Sequence, residues 1–361
     1  MFYHFLYSLK DYWFGFNVFR YITFRAAFCG VTSFLISVMV GPWIIKTLKG
    51  LNVKENVLRS DAPALYQYHK HKEGTPTMGG IIIILSLVVS TLLWADLTNK
   101  FIVFSLLTTL WLGAIGFMDD FIKLKGKSKG LRAAAKLLGQ VTVALLIGLT
   151  LYLDPEFDNT LMFPFFKNLI INLGIFYILF VIVVIIGASN AVNITDGLDG
   201  LAIGCIIIIA ITYGIMSYVT GHLKFSQYLN IFYNPHAGEL GVFCAAILGS
   251  GLGFLWFNAH PATVFMGDTG SLALGGAIGM VAIFIKKELL LFLVGGIFVI
   301  ETLSVLLQVA SFKLKKKRIF LMAPLHHHFQ LKGWPESKII IRFWIVAIVL
   351  SLLTLATLKL R

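Results

Sequence analysis

Long apolar stretches, separated by short polar ones, set the pattern of this chain. A helix needs about 20 mostly apolar residues to cross a bilayer. Ten runs meet or approach that length: 21–45, 77–95, 101–118, 133–153, 170–188, 199–219, 239–257, 269–285, 289–311 and 340–358. The pattern predicts an all-α, polytopic membrane bundle of about ten transmembrane helices. Glycine pairs inside the runs, Gly275-Gly276 and Gly295-Gly296, suit close helix packing or a bend that neighbouring helices repair. No 20–50-residue repeat and no low-complexity segment interrupts the series, so residues 1–361 read as a single transmembrane domain.

Composition removes the soluble alternative. The chain is 58% hydrophobic and 13% charged, with a mean hydropathy of +0.86. Soluble domains run at about 45–50% apolar and about 25% charged. Cys29, Cys205 and Cys244 lie in or beside apolar runs with no CxxC spacing. They read as small buried hydrophobes rather than a disulfide framework or zinc knuckle. The opening stretch "MFYHFLYSLKDYWFGFNVFRY" carries Asp11 and lacks the basic start and small-residue cleavage site of a signal peptide.

Charge then orients the bundle. Ten spans put both termini on one side. Loop 46–75 holds Lys46, Lys49, Lys54, Arg59, Lys70 and Lys72. Loop 119–136 holds Lys123, Lys125, Lys127, Lys129, Arg132 and Lys136. Loop 311–342 holds Lys313, Lys315, Lys316, Lys317, Arg318, Lys332, Lys338 and Arg342. These are 20 of the 30 basic residues, and alternation puts all three loops on one side. The positive-inside rule makes that side cytoplasmic, with both termini periplasmic. Topology and anionic lipid account for the net charge of +13, and no nucleic acid partner is expected.

Two further loops fall on the cytoplasmic side: 187–200, "GASNAVNITDGLDG", and 257–271, "FNAHPATVFMGDTGS". Asp119, Asp120, Asn190, Asn193, Asp196, Asp199, Asn258 and Asp268 are therefore expected at one membrane surface. His326, His327 and His328 join them. Apolar patterning alone does not require this gathering.

Each group has a bland reading beside the chemical one. Adjacent helical residues point about 100° apart, so Asp119 and Asp120 should split roles, one toward a metal or phosphate and the other toward basic residues or water. Acids at a helix C-terminus also oppose its macrodipole, which favours a cation beside them. Asn190, Asn193, Asp196 and Asp199 recur every three residues, a spacing that helical parts place on one face. Turn chemistry alone explains "DG" twice. Asp268 fits either a helix N-cap or a magnesium ligand, since Mg²⁺ takes one or two carboxylates plus water and substrate phosphates. The three histidines lack the Cys or spaced His of a zinc site and suit hydrogen bonding to phosphate or substrate. Glu301, inside the ninth run, either lines a lipid groove or pairs with a buried donor. No Walker motif or G-x-S-x-G elbow is present, so the basic loops and carboxylates point to magnesium-assisted phosphate chemistry without ATP hydrolysis. A transporter is the rival class, but the polar residues gather at one face rather than the midplane and no halves are duplicated.

Five stretches carry a resemblance: "KEGTPTMGG" (72–80), "GFMDDFIKLKGKSKGL" (116–131), "GASNAVNITDGLDGLA" (187–202), "FLWFNAHPATVFMGDTGSLALGG" (254–276) and "MAPLHHHFQLKGWPE" (322–336). In this order they resemble the bacterial phospho-N-acetylmuramoyl-pentapeptide transferases (MraY), within the polyprenyl-phosphate N-acetylhexosamine-1-phosphate transferase superfamily. The resemblance covers essentially the whole chain. It implies a Mg²⁺-dependent transfer from UDP-N-acetylmuramoyl-pentapeptide to undecaprenyl phosphate, giving lipid I and UMP at the bacterial cytoplasmic membrane. It also implies a homodimer. By resemblance, Asp268 is the magnesium ligand and Asp119 and Asp120 are essential. Asn193, Asp196 and Asn258 belong with the metal and phosphates, and Asn190 is a further substrate-binding candidate. Gly197, Leu198, Asp199, Phe265 and Lys72 form a uridine pocket, and Lys123, Lys136 and the histidines surround the phosphates and sugar. One-step and covalent routes both stay open. A sibling transferase using UDP-N-acetylglucosamine is the near alternative, and "PLHHHFQLKGWPE" favours the muramoyl enzyme.

Overall fold

The computed structural model describes residues 1–51, 72, 74–124, 130–166 and 169–359. Lys54, Arg59, Lys70, Lys125, Lys127 and Lys129, counted above in the basic loops, lie outside the described residues. Among the described residues the fold is all-α apart from one small hairpin. After α1 (Phe2–Ser8) come α2 (Ile22–Gly50), α3 (Gly80–Trp94), α4 (Lys100–Leu124) and α5 (Ala133–Leu153). Strands β1 (Thr160–Met162) and β2 (Ile170–Asn172) pair antiparallel, with Leu161 opposite Ile171. Then follow α6 (Phe176–Thr195), α7 (Leu201–Thr220), α8 (Leu223–Leu229), α9 (Leu240–Asn258), α10 (Gly267–Phe284), α11 (Leu291–Val294), α12 (Gly296–Lys315), α13 (Leu325–Leu331) and α14 (Glu336–Ala356).

Among the described residues nine helices are long and apolar enough to cross a membrane. The tenth, α3, has 15 residues, about 22 Å at 1.5 Å per residue. Several expected boundaries move, and the runs 21–45 and 101–118 continue as helix to Gly50 and Leu124. The run 170–188 begins as β2, and its helix runs on from Phe176 to Thr195. The stretch 187–200, read as a loop, is thus helical as far as Thr195. The run 289–311 is broken, with α12 starting only at Gly296.

Helix α10 sits at the centre, with every residue from Thr269 to Phe284 buried. Its small residues let neighbours approach closely, and packing of that kind drives helix association in lipid. It packs between α4 and α6, while α2 packs along α9. Ser33 Oγ donates to the Ala246 carbonyl at 2.9 Å across the second pair. At the end of the bundle away from the aspartates, Arg25 and Glu239 form a buried two-pronged pair, Nη1 donating to Oε2 at 2.7 Å and Nη2 to Oε1. Lys100 bridges Asp154 (2.5 Å) and Glu156 (2.7 Å) at the same end.

Candidate active site

The last turn of α4 brings its two aspartates to the start of α10. Asp120 accepts hydrogen bonds from the backbone N–H of Asp268 (Oδ1, 3.2 Å) and of Thr269 (Oδ2, 3.0 Å), and from Thr269 Oγ1 (Oδ2, 2.7 Å). The first N–H groups of a helix have no intrahelical partner, and a carboxylate there also favours the dipole. Asp120 is therefore the cap of α10, supplied from another helix. Asp268 is not: it lies inside the first turn, and its side chain makes no capping bond. The N-cap reading of Asp268 falls because the capping place is already filled.

Close backbone approach makes this possible. A methyl group on Gly116 of α4 would stand 2.2 Å from the Asp268 carbonyl oxygen, and Gly267 has φ +72° with the Asp120 carboxylate against it. Only glycine adopts that backbone without penalty.

Asp119 points elsewhere, as the 100° step predicts. Its Oδ1 accepts the Leu131 N–H at 2.7 Å, and its Oδ2 meets Lys123 Nζ at 2.6 Å. Lys123 also reaches Asp268 Oδ2 at 2.9 Å, and Lys136 meets the same oxygen at 2.7 Å. Asp268 Oδ1 accepts from Asn193 Nδ2 at 2.7 Å, and that amide also donates to Ser271 Oγ at 2.8 Å.

Asp119, Asp120 and Asp268 each offer a carboxylate oxygen within 4.8 Å of the others. The donor set is oxygen only, which suits a hard cation such as Mg²⁺. Three carboxylates stand against two ammonium groups, and in this structure Lys123 bridges Asp119 and Asp268. Asp120 spends its oxygens on the backbone and hydroxyl at the start of α10, whereas Asp119 Oδ2 and Asp268 Oδ2 are held by lysine ammonium groups and are the oxygens that could be given to a cation.

A second cluster lies where the loop after α6 meets α14. Lys72 Nζ is 2.7 Å from Asp199 Oδ1 and 2.7 Å from Glu336 Oε1. Its ammonium also lies 5.8 Å from the Phe265 ring centroid. Asp199 Oδ2 accepts the Ala262 N–H at 3.1 Å and faces His260 Nδ1 at 3.1 Å. Burial alone would push the Asp199 carboxyl up, but Lys72, the Ala262 N–H and His260 bring it below its ordinary value. Leu198 is buried beside it.

Other expected residues take supporting places. Asn258 is stapled into backbone, accepting from Gly200 N–H at 2.9 Å and donating to the Val264 carbonyl at 2.9 Å. Asn190 turns away from Asp268 and pairs with Gln140 of α5, donating to Oε1 at 3.0 Å. Asp196 is the half-buried residue that ends α6. The histidines form a helix, α13, and point three ways. His326 is buried; its N–H donates to Glu301 Oε1 at 3.2 Å, and its Nδ1 lies 3.2 Å from Glu301 Oε2. This settles Glu301 as a pairing residue. His326 Nε2 faces Gly197, where a methyl group would come within 2.3 Å. His327 Nδ1 is 2.8 Å from Gln330 Oε1, and His328 Nδ1 accepts the Leu321 N–H at 3.1 Å.

Comparison with known proteins bears on this arrangement. Residues 102–286 match glycosyl transferase family 4, and residues 72–84 match phospho-N-acetylmuramoyl-pentapeptide-transferase signature 1. A phospho-N-acetylmuramoyl-pentapeptide-transferase of Desulforapulum autotrophicum is 54% identical over 363 residues, with 100% of both chains covered. Proteins of the same description from Desulfotalea psychrophila and Thermodesulfovibrio yellowstonii are 53% and 52% identical, again with 100% of both chains covered. The chain belongs to the phospho-N-acetylmuramoyl-pentapeptide-transferase family.

The family signature has a structural place here. Gly79 and Gly80 donate their N–H groups to the carbonyls of Phe265 (2.8 Å) and Met266 (2.9 Å), and Phe265 N–H donates to the Pro76 carbonyl at 2.8 Å. The segment thus laces the loop carrying Phe265 to the start of α10 and joins the two clusters. Sequence reasoning missed His260, Thr269 and Glu336. Each lay in a quoted motif, but Glu336 after Pro335 reads only as a first-turn acid, and no local signal pairs it with Lys72.

Proposed function

We propose that this transferase moves phospho-N-acetylmuramoyl-pentapeptide from its UDP conjugate to undecaprenyl phosphate, forming lipid I and UMP. In the net reaction a bond forms between a lipid-phosphate oxygen and the sugar-side phosphorus of the donor, and the bond from that phosphorus to the UMP oxygen is broken. One pyrophosphate linkage replaces another, so no ATP is needed. The observation that carries the reading is the Lys123 bridge between Asp119 and Asp268, with Lys136 beside it. A site that must hold phosphates has its two lysines parked on carboxylates, ready to be exchanged.

Asp268 and Asp119 would hold Mg²⁺, which when bound offsets phosphate repulsion and aligns the reacting groups. Lys123 and Lys136 then turn to the phosphate oxygens. Asp120 fixes the start of α10 and hence the place of Asp268. Asn193 holds the other oxygen of Asp268. A lipid phosphate with second pKa near 6 is mostly dianionic at pH 7, so alignment matters more than base catalysis. Phe265 stacks the uracil, with Lys72 and Asp199 at its edge. The site faces the cytoplasm of a bacterial inner membrane, both termini face the periplasm, and the chain acts as a homodimer.

The test is an assay of purified protein in detergent with undecaprenyl phosphate and Mg²⁺. Lipid I and UMP should form from UDP-N-acetylmuramoyl-pentapeptide and not from UDP-N-acetylglucosamine, and chelation should stop turnover. Transfer from UDP-N-acetylglucosamine instead would reassign the donor. No transfer without a sealed membrane would favour a transporter.

A further inference from the structure

One oxygen of Glu336 has two demands on it. Oε1 lies 2.7 Å from Lys72 Nζ and accepts the backbone N–H of Asp199 at 2.9 Å. The side chain is 7% exposed, and Lys72 is 6% exposed. Two carboxylates, Glu336 and Asp199, therefore share one buried ammonium. His260 Nδ1 lies 3.1 Å from Asp199 and 3.9 Å from Glu336 Oε1. These carboxylates and the imidazole have ligand atoms within 4.8 Å of one another, and the Lys72 ammonium is held between the two carboxylates.

Glu336 begins α14, whereas Lys72 precedes α3 and Asp199 precedes α7. Glu336 joins three distant parts of the chain around an ammonium that lies 5.8 Å from the Phe265 ring centroid. Without it, Lys72 keeps one partner and four rotatable bonds, and the Asp199 N–H loses its acceptor. A buried donor left unpaired is costly, and bonds to charged groups are the stronger kind.

We infer that Glu336 is a positioning residue for the nucleotide subsite. It fixes the Lys72 ammonium beside Phe265 and the backbone of Leu198–Gly200, and through them it sets affinity for the uridine half of the donor. It touches neither reacting phosphate and leaves the transfer step alone. This inference rests on the reading of Lys72, Asp199 and Phe265 as the nucleotide pocket.

The experiment compares Glu336→Ala, Glu336→Gln and Phe265→Ala in purified full-length protein. UMP binding is measured by titration calorimetry with Mg²⁺ present, and donor and lipid-phosphate kinetics are measured in detergent. Glu336→Ala should weaken UMP binding and raise donor KM by roughly tenfold or more. Glu336→Gln keeps an acceptor oxygen, so it should recover part of that loss even if the alanine variant folds poorly. For the glutamine variant kcat should stay within about twofold of wild type and the KM for lipid phosphate should be unchanged, a split that a general loss of structure would not give. Wild-type UMP affinity in both Glu336 variants, or a fall in kcat at constant donor KM, would overturn the inference. If Phe265→Ala weakens UMP binding and the Glu336 variants do not, only the role of Glu336 fails. If Phe265→Ala binds UMP normally, the pocket reading itself fails.

Discussion

Asp120 holds the backbone N–H of Asp268 at 3.2 Å, so one aspartate of the pair on α4 positions the carboxylate that its neighbour faces. The adjacent acids divide the work between them. Asp119 meets the lysines and Asp120 anchors the helix. Asp120→Asn turns at most one acceptor to three donors and loses the charge. We predict a stability loss of about 1.5–3 kcal/mol together with lost turnover. Asp119→Asn keeps an oxygen for the Leu131 N–H and should lose turnover with little change in unfolding. Thermal unfolding in detergent, beside initial rates, separates the two. Equal unfolding midpoints for both variants would refute the division.

Asp268 caps nothing, so Asp268→Asn tests chemistry directly. Turnover should fall about a hundredfold or more, the scale seen when a preorganised electrostatic partner is removed. The helix start, still held by Asp120, should unfold as in wild type. Near wild-type rates in folded protein would remove Asp268 from the metal site.

The lowered Asp199 carboxyl makes a prediction about acid. A carboxyl depressed by folding contributes stability that is present above its unfolded pKa and lost as pH falls through its folded pKa. In wild type that loss comes at a lower pH than for an ordinary aspartate. Lys72→Met leaves burial as the main influence, which raises the carboxyl instead. Acidification then relieves a buried charge. The difference in unfolding midpoint between wild type and Lys72→Met should shrink from pH 7 to pH 5. A constant or growing gap would mean that Lys72 does not govern Asp199.

The proposed orientation rests on the basic loops and is tested directly. A reporter fused after Lys317 should read cytoplasmic and one at Asn159 periplasmic. The reverse reading at both places would put the lysine–aspartate cluster outside the cell and sink the proposed reaction, whose donor is a soluble nucleotide conjugate.

Most spans were legible because crossing lipid demands a long apolar run. The exceptions have physical causes. Ile170–Asn172 is apolar enough to pass for helix, since a short apolar run carries no period to separate strand from helix. Asn190 and Asn193 read as loop residues, yet they sit on α6 because their amides find partners in Gln140, Asp268 and Ser271. The gathering of the aspartates at one end followed from alternation alone. Which aspartate does what did not, because Asp120 and Thr269 are separated by 149 residues and meet only once α4 and α10 pack at Gly116.

The Lys72–Glu336 pair also carries a message about order of assembly. Its two halves enter the membrane at opposite ends of synthesis, separated by 264 residues. The meeting of Asp119 and Asp268 needs no residue of α14, whereas Lys72 gains its second carboxylate only when α14 is in place. On the proposed reading of this cluster as the nucleotide subsite, that subsite is complete only once α14 has packed against Lys72.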